Sequence, residues 1–145
     1  MTNDPTETLE PWLPLEGMEE ELFLETLRCD HGKLRVTLSR GKDADRTLTI
    51  DFGEPQAFRA QPQHALLTEP WWGKLPPASV YVVNHSRYRA WLVDSSAGII
   101  DQPMTHYCII STDGALDVLT TSRPVATWSN PATLASVPPN FPGRQ

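Results

Sequence analysis

The sequence predicts an α+β protein that is mainly antiparallel β, with a roll-like or strongly curved sheet and one short helix packed on it. Fourteen prolines in 145 residues are about twice the average share, which favours short elements joined by turns over long helices. Apolar and polar residues alternate with a period of two in several short stretches, as in strands with one buried face. One stretch has apolar side chains at helical spacing, so we expect a helix packed against a sheet.

The N-terminal residues 1–17 are predicted to form an extended acidic arm. Three prolines oppose a regular helix there, and Trp12 is the largest apolar side chain that could anchor the arm. A single mainly-β domain is expected to follow over residues 18–128. Its first segment, residues 18–27, allows a helical turn, but the alternation around Phe23 favours a strand.

The clearest period of two lies in residues 34–38 and 48–52, where apolar side chains occupy every second position. The polar segment 40–45 between them contains Gly41, which tolerates the positive φ of a chain reversal. These segments predict an antiparallel hairpin. A further short strand is expected around Phe58.

Residues 61–79 form a long connection interrupted by prolines, and it contains the adjacent pair Trp71 and Trp72. Neighbouring side chains on an extended backbone point in opposite directions, so at most one of these two indoles should face the core. Long irregular loops in compact domains are often functional or mobile. We therefore expect this loop to take part in binding.

The β-branched and aromatic residues 80–83 predict a central, well-buried strand. After it, Ser86 is a candidate N-cap for a helix over residues 87–96, with Gly98 near the end of the helix. A continuing strand is the alternative, because Trp91 also fits an alternating pattern.

The last third of the chain predicts a second hairpin. Its strands are residues 106–110 and 116–120, and its reversal is at Asp113–Gly114. Residues 129–145 are rich in proline and lack a buried-face pattern, so we expect a wrapped or disordered tail.

The negative charge is concentrated at one end of the chain. Eight acids and no base precede Arg28, which gives this stretch a formal charge of −8 within a net charge of −6. A concentrated field of one sign steers a partner of opposite charge, so we predict a basic protein partner such as a toxin domain. The alternative is a solvated acidic leader that keeps the protein soluble. The predicted partner-binding residues are Trp12, Glu16, Glu19, Glu20, Glu21, Trp71 and Trp72.

Other classes of partner receive less support. The acidic balance opposes nucleic-acid binding, although Arg87 and Arg89 flank Tyr88. No segment approaches the ~20 apolar residues that cross a bilayer, and the N-terminus lacks a basic patch followed by an apolar run. We therefore expect a cytoplasmic protein, and the sequence leaves its oligomeric state open.

The cysteines Cys29 and Cys108 lie outside any CxxC motif. Each has a histidine two residues away, so a zinc site made of Cys29, His31, His106 and Cys108 is one alternative. Cys108 lies in an apolar run, where an inert buried thiol is the favoured interpretation. We expect no metal and no cofactor.

A nucleophilic site needs a nucleophile, a base and a group that orients the base. The sequence offers a cysteine with His106 and either Asp113 or Asp117, although a structural hydrogen bond of His106 is favoured. A serine hydrolase receives less support, because the G-x-S-x-G motif is absent. We assign no catalytic residue.

A pattern within residues 82–122 is similar to small bacterial single-domain proteins of the toxin-immunity type. Apolar and turn positions dominate this pattern, so the resemblance implies a fold more than an activity. It implies neutralisation of a cognate toxin by tight binding. The residues that carry it are Asn84-His85-Ser86, Tyr88, Trp91-Leu92, Ser95, Gly98, His106-Tyr107, Ile109 and Asp117-Val118-Leu119, leading to Pro124.

The sequence thus predicts a non-enzymatic protein-binding module, most concretely an immunity protein that neutralises a cognate bacterial toxin through an acidic and aromatic surface. Two alternatives stay open. One is a small enzyme that uses His106 with a cysteine or an aspartate. The other is a small-ligand-binding β domain in which the Trp71–Trp72 loop gates a pocket between sheet and helix.

Overall fold

The structure, a computed structural model, describes residues 5–41, 46–112 and 114–129. In these ranges one α-helix, α1, spans Arg87–Ser95, and a single 3₁₀ turn spans Gln63–Leu66. All strand pairings are antiparallel, which confirms the predicted mainly antiparallel β class with one helix. The strands are β1 (Thr8–Pro11), β2 (Phe23–Asp30), β3 (Lys33–Ser39), β4 (Thr47–Gly53), β5 (Ala57–Gln61), β6 (Val80–Asn84), β7 (Thr105–Ser111), β8 (Gly114–Thr120) and β9 (Val125–Ser129).

The strands form two sheets. Sheet A has the order β1-β6-β7-β8-β5, and sheet B has the order β2-β3-β4-β9. Two of the edge strands were not predicted. β1 belongs to the expected arm and pairs with β6, while β9 pairs with β4 and includes Ser129 of the expected tail. Part of the arm, Thr8–Pro11, is therefore a strand of sheet A.

The main core lies between the two sheets. Every second side chain of β4 is buried, and β3 follows nearly the same alternation, as the period of two predicts. The inward face of sheet A completes this core with residues of β6, β7 and β8. Its buried members are Met18, Leu22, Leu34, Val36, Leu38, Leu48, Ile50, Phe52, Val80, Tyr107, Ile109, Leu116 and Val118.

The opposite face of sheet A carries a second, smaller buried cluster. All seven residues of β8 are buried, because sheet B covers one face of the strand and the 61–79 loop with α1 covers the other. The loop is fixed on the sheet by Tyr81, whose hydroxyl donates to the carbonyls of Pro76 and Ala78 at 2.8 and 3.0 Å. This cluster contains Leu9, Leu66, Trp71, Tyr81, Val83, Cys108 and Ala115.

The helix agrees closely with its predicted bounds, so the alternative of a continuing strand is wrong. Ser86 is its N-cap: the Ser86 Oγ accepts a hydrogen bond from the Arg89 N–H at 2.9 Å. The preceding residue, His85, has a φ of +56°, which turns the chain from β6 into α1. Tyr88 is buried but Trp91 is 58% exposed, so only part of the expected apolar face packs on the sheet.

Some predictions fall outside the described residues. These are residues 1–4 of the expected arm, residues 42–45 of the first hairpin turn, Asp113 of the second turn, and residues 130–145 of the expected tail. Within the described ranges, no helix has the length and apolar character needed to cross a membrane.

Candidate functional site

The predicted acidic surface is partly neutralised by the protein itself. Glu20 pairs with Arg40. Glu16, Glu19 and Glu21 are exposed, and none of them forms an ion pair with another residue in the described ranges. All four predicted glutamates are therefore exposed, and within the described ranges three of them form no ion pair.

The predicted aromatic anchors are less exposed than the glutamates. Trp71 is 9% exposed and belongs to the second buried cluster, so its expected role as a surface anchor must be corrected to that of a core side chain. Trp72 is partly buried against the same cluster. Trp12 packs on the main core and meets Tyr107 edge-on, with ring centroids 5.4 Å apart. Of the adjacent pair, Trp71 is buried and Trp72 only partly buried, which agrees with the expectation that at most one of these indoles faces the core.

The four candidate zinc ligands are divided between the two sheets. Cys29 and His31 lie at the exposed β2–β3 hairpin of sheet B, whereas His106 and Cys108 lie on β7 of sheet A. Among the described residues, no group of three or more His, Cys, Asp or Glu side chains could hold a metal ion. The zinc alternative is therefore wrong.

The Cys108 thiol is buried, as its position in an apolar run predicts. Burial raises the pKa of Cys108 well above its ordinary value, and the negative charge of Asp117 raises it further. A thiol with so high a pKa stays protonated and is a poor nucleophile. Cys29 is exposed on the other sheet, so neither cysteine can serve as a nucleophile for His106.

A chain of hydrogen-bonded polar side chains crosses the face of sheet A that carries the second cluster. Arg59 on β5 and Cys108 on β7 stand opposite Asp117 on β8, and the period of two places His106 on the same face. The Arg59 Nε donates to Asp117 Oδ2 at 2.9 Å, and His106 Nε2 lies 2.7 Å from Asp117 Oδ1. The side chains of His106 and Asp117 are 4% and 6% exposed, so this is a buried, fully bonded pair.

Ser86 extends this chain towards the helix. Its Oγ lies 2.6 Å from His106 Nδ1. Because an ionised Asp117 can only accept, the proton of a neutral His106 ring is on Nε2, and Nδ1 accepts from the Ser86 hydroxyl. Hydroxyl, imidazole and carboxylate are thus connected in the order nucleophile, base and orienting group.

Opposing effects act on the ionisation of Asp117. Burial raises the pKa of its carboxyl, but the hydrogen bonds and charges of His106 and Arg59 outweigh burial and leave the pKa below its ordinary value. Burial raises the pKa of Tyr88, whose ring lies 4.2 Å from the Arg59 guanidinium carbon. At neutral pH the site therefore holds an ionised aspartate and a neutral phenol.

A cavity of about 300 Å³ opens beside these hydrogen-bonded side chains, between sheet A, the 61–79 loop and α1. We call it the loop cavity. Trp71 of the loop, Arg59 and His106 of the sheet, and Tyr88 and Trp91 of the helix all line it. Its volume lies at the lower end of the ~300–1,000 Å³ that is typical of ligand pockets.

Glu7 of the arm enters the loop cavity. Its carboxylate accepts hydrogen bonds from the Arg87 N–H at 2.8 Å and from the Trp71 indole N–H at 3.3 Å. The Arg87 guanidinium lies 3.6 Å from the same carboxylate and also pairs with Glu69. The Glu7 side chain thereby connects the arm to the 61–79 loop and to the first turn of α1.

The chain was compared with protein-family models, with curated proteins and with solved structures. None of them matches it. The function of the loop cavity therefore has to be inferred from its own geometry and chemistry.

The sequence already identifies His106 and Asp117 as candidate site residues. It predicts Ser86 only as a helix cap, and it does not predict Arg59 or Glu7. One signal points to Arg59. An aspartate inside an apolar strand needs buried hydrogen-bond donors, so a basic partner on a neighbouring strand is expected. No comparable local signal marks Glu7, because its partners come from distant parts of the chain.

Proposed function

We propose that the protein is a small-ligand-binding β domain whose site is the loop cavity. The observation that carries this proposal is the convergence of stacked aromatic rings and two arginines at one cavity. The rings of Tyr88 and Trp91 lie 5.9 Å apart and 19° from parallel. Because Trp91 is 58% exposed, its outer surface is open to a flat ligand ring.

The arginines supply the polar contacts for such a ligand. The carboxylates that line the loop cavity are more buried than its arginines, and they already accept hydrogen bonds or form ion pairs. The side chains of Arg59 and Arg87 are 49% and 64% exposed. Arg59 binds Asp117 through Nε, so its terminal amino groups can donate to an acceptor on the ligand.

The charge of the cavity limits the charge of the ligand. Three carboxylates, those of Glu7, Glu69 and Asp117, face two arginines, so a multiply charged anion such as a phosphate is disfavoured. We expect a flat aromatic molecule, neutral or singly negative, that carries a hydrogen-bond acceptor. Trp71 lines the cavity from the 61–79 loop, so this loop forms one wall of the site. Gating by the loop and a roll-like curvature of the sheet stay predictions.

Isothermal titration calorimetry with indole-3-acetamide and indole-3-acetate tests this function. At about −0.3 kcal/mol for each of roughly 13 non-hydrogen atoms, we expect about −4 kcal/mol, or a Kd of about 1 mM. Trp91→Ala should weaken both probes by about fivefold, because a ring contact worth ~0.5–1.5 kcal/mol is lost.

Ile99→Ala is the matched control for this titration. Ile99 is a large apolar side chain, 85% exposed beyond the end of α1, and it does not line the loop cavity. Its truncation should leave both Kd values unchanged. Absence of binding by both probes, or equal weakening in the two variants, would contradict the proposed function.

A second candidate function is the neutralisation of a basic partner, most concretely a bacterial toxin, by a cytoplasmic immunity protein. The observation that favours it is the exposed group of Glu16, Glu19 and Glu21, which follows Leu13 with its side chain 45% exposed. Acidic side chains around an exposed apolar residue suit a basic protein surface. The Trp128 indole N–H donates to the Glu16 carbonyl at 2.8 Å, which holds this segment on sheet B.

Charge reversal tests this second candidate. A variant with lysine at Glu16, Glu19 and Glu21 should bind a toxin domain encoded beside its gene at least about tenfold more weakly, with most of the loss in the association rate. The control is lysine at Glu54, an exposed glutamate outside this segment. Equal association rates for the triple variant and the wild type would exclude this surface as the docking site.

A further inference from the structure

We propose that Ser86 is a nucleophile that cleaves small carboxylic esters, with His106 as its general base and Asp117 as a positioning residue. This activity goes beyond ligand binding in the loop cavity. The serine faces a separate cleft on the other side of His106, and that histidine lines both spaces.

The cleft has room for a substrate next to the serine. Its volume is about 670 Å³, and Ser86 is partly exposed in it. The apolar part of the lining, made of Val82, Val83, Ala90 and Met104, suits an acyl chain, while Arg87 and Arg89 suit an acyl or alcohol group with an acceptor. Its lining includes Asn84, His85, Ser86, Arg89, Met104 and His106.

The backbone presents Ser86 at a sharp junction between a strand and a helix. β6 ends at Asn84, His85 turns the chain with a φ of +56°, and α1 begins at Arg87. The G-x-S-x-G motif indicates the same kind of strand-to-helix turn in hydrolases. Around Ser86 the two glycine positions of that motif are occupied by Asn84 and Tyr88, so the motif does not mark this turn.

The first turn of α1 also holds a donor for the negative charge that forms on the substrate. The Arg87 N–H donates to Glu7, and the Arg89 N–H donates to Ser86. The Tyr88 N–H has no hydrogen-bond acceptor among the described residues. This amide, at the positive end of the helix, is the donor that we assign to the oxyanion.

The reaction follows from these positions. The Ser86 Oγ attacks the ester carbonyl carbon while its proton passes to His106 Nδ1, and the Asp117 carboxylate stabilises the resulting imidazolium. The C–O bond to the alcohol then breaks, and the alcohol leaves with the proton from His106, which produces an acyl ester on Ser86. A water molecule attacks this ester, gives its proton to His106, and releases the carboxylic acid as the serine regains its proton.

Covalent labelling by diisopropyl fluorophosphate tests the proposal directly. The Ser86 Oγ displaces fluoride from phosphorus, so intact mass spectrometry of the full chain should show one diisopropylphosphoryl group, and peptide mapping should place it on Ser86. His106→Gln should slow labelling by ~10³-fold or more, since the general base is lost. Ser95→Ala removes an exposed serine of the same helix and should label like the wild type.

A second variant separates the chemistry from the fold. Ser86→Asn keeps a good N-cap, so it should fold with wild-type circular dichroism and yet take up no label. Asp117→Asn should slow labelling of Ser86, because the imidazolium loses the carboxylate that stabilises it, and Asp117→Glu should recover part of the rate.

Two results would overturn the proposal. One is a wild-type protein that takes up no label or takes it up at another residue. The other is a His106→Gln variant that labels Ser86 at the wild-type rate. Both outcomes are independent of ligand binding in the loop cavity, which is measured with Trp91→Ala.

Discussion

Asp117 is the residue on which the buried polar chain depends. It accepts from Arg59 and is bonded to His106, and each of these bonds uses a different carboxylate oxygen. Asparagine keeps one acceptor oxygen but has an NH₂ group in place of the other, so one of the two donors, His106 or Arg59, then faces a second donor. Asp117→Asn should therefore lower the free energy of unfolding at pH 6 by about 1–3 kcal/mol, the usual cost of an unpaired buried group.

The same substitution should change how stability depends on pH. The pKa of Asp117 is lower in the folded protein than its ordinary value of 3.8, so the folded state favours the ionised form. The stability that this provides is fully present above the ordinary pKa and is lost as the pH falls through the lowered one. In urea unfolding between pH 6 and pH 2.5, the wild type should lose more stability than Asp117→Asn.

Asp51→Asn is the control for this pH series. The pKa of Asp51 is also lowered, first by a hydrogen bond from the Gly53 N–H and then by Arg35, but its side chain is 41% exposed. Solvent screens such a surface pair, so its removal should flatten the pH dependence less than Asp117→Asn does. A gap between wild type and Asp117→Asn that stays constant down to pH 2.5 would contradict the assigned ionisation.

At the scale of the elements, local pattern predicts the strands whose own side chains form the core. β3, β4, β7 and β8 carry strong alternation or continuous apolar runs, and α1 has a capping serine, so their positions follow from the sequence. β1 and β9 do not, because each is a short edge strand that depends on its neighbour for hydrogen bonds. β2 is mostly exposed and has an irregular register between Leu24 and Thr26, which explains why its pattern is ambiguous.

The loop cavity is harder to predict than the elements around it, because its contacts join distant parts of the chain. Arg59 and Asp117 are 58 residues apart, Trp71 and Glu7 are 64 residues apart, and Arg87 and Glu7 are 80 residues apart. Periodicity reports only which face of an element is buried. The adjacent tryptophans mark the 61–79 loop as a binding element, but the sequence does not show that Trp71 turns inwards.

At the scale of the whole molecule, the two faces of sheet A contact different parts of the protein. One face packs on sheet B and forms the main core of apolar and aromatic side chains. The other face carries Arg59, His106 and Asp117 under a loop and a single helix, and it leaves a cavity on each side of the histidine. The structure thus places its polar chemistry on the face that a second sheet does not cover.

The charge asymmetry of the sequence is also reorganised by the fold. Glu7 is drawn into the loop cavity and Glu20 pairs with Arg40, so part of the negative charge of the N-terminal region is used inside the protein. Glu16, Glu19 and Glu21 remain exposed in the segment between β1 and β2. The acidic surface and the loop cavity are therefore separate features, and each can be removed without the other.

The indole N–H signals of the five tryptophans provide the most direct measurement of ligand binding in the loop cavity. In ¹⁵N-labelled protein, assigned by single Trp→Phe variants, titration with indole-3-acetamide should shift the signals of Trp71 and Trp91 along one saturable curve. The signals of Trp12 and Trp128, which pack on the main core, should stay in place. Equal shifts at all five indoles, or a saturable shift confined to Trp12 and Trp128, would contradict a binding site in the loop cavity.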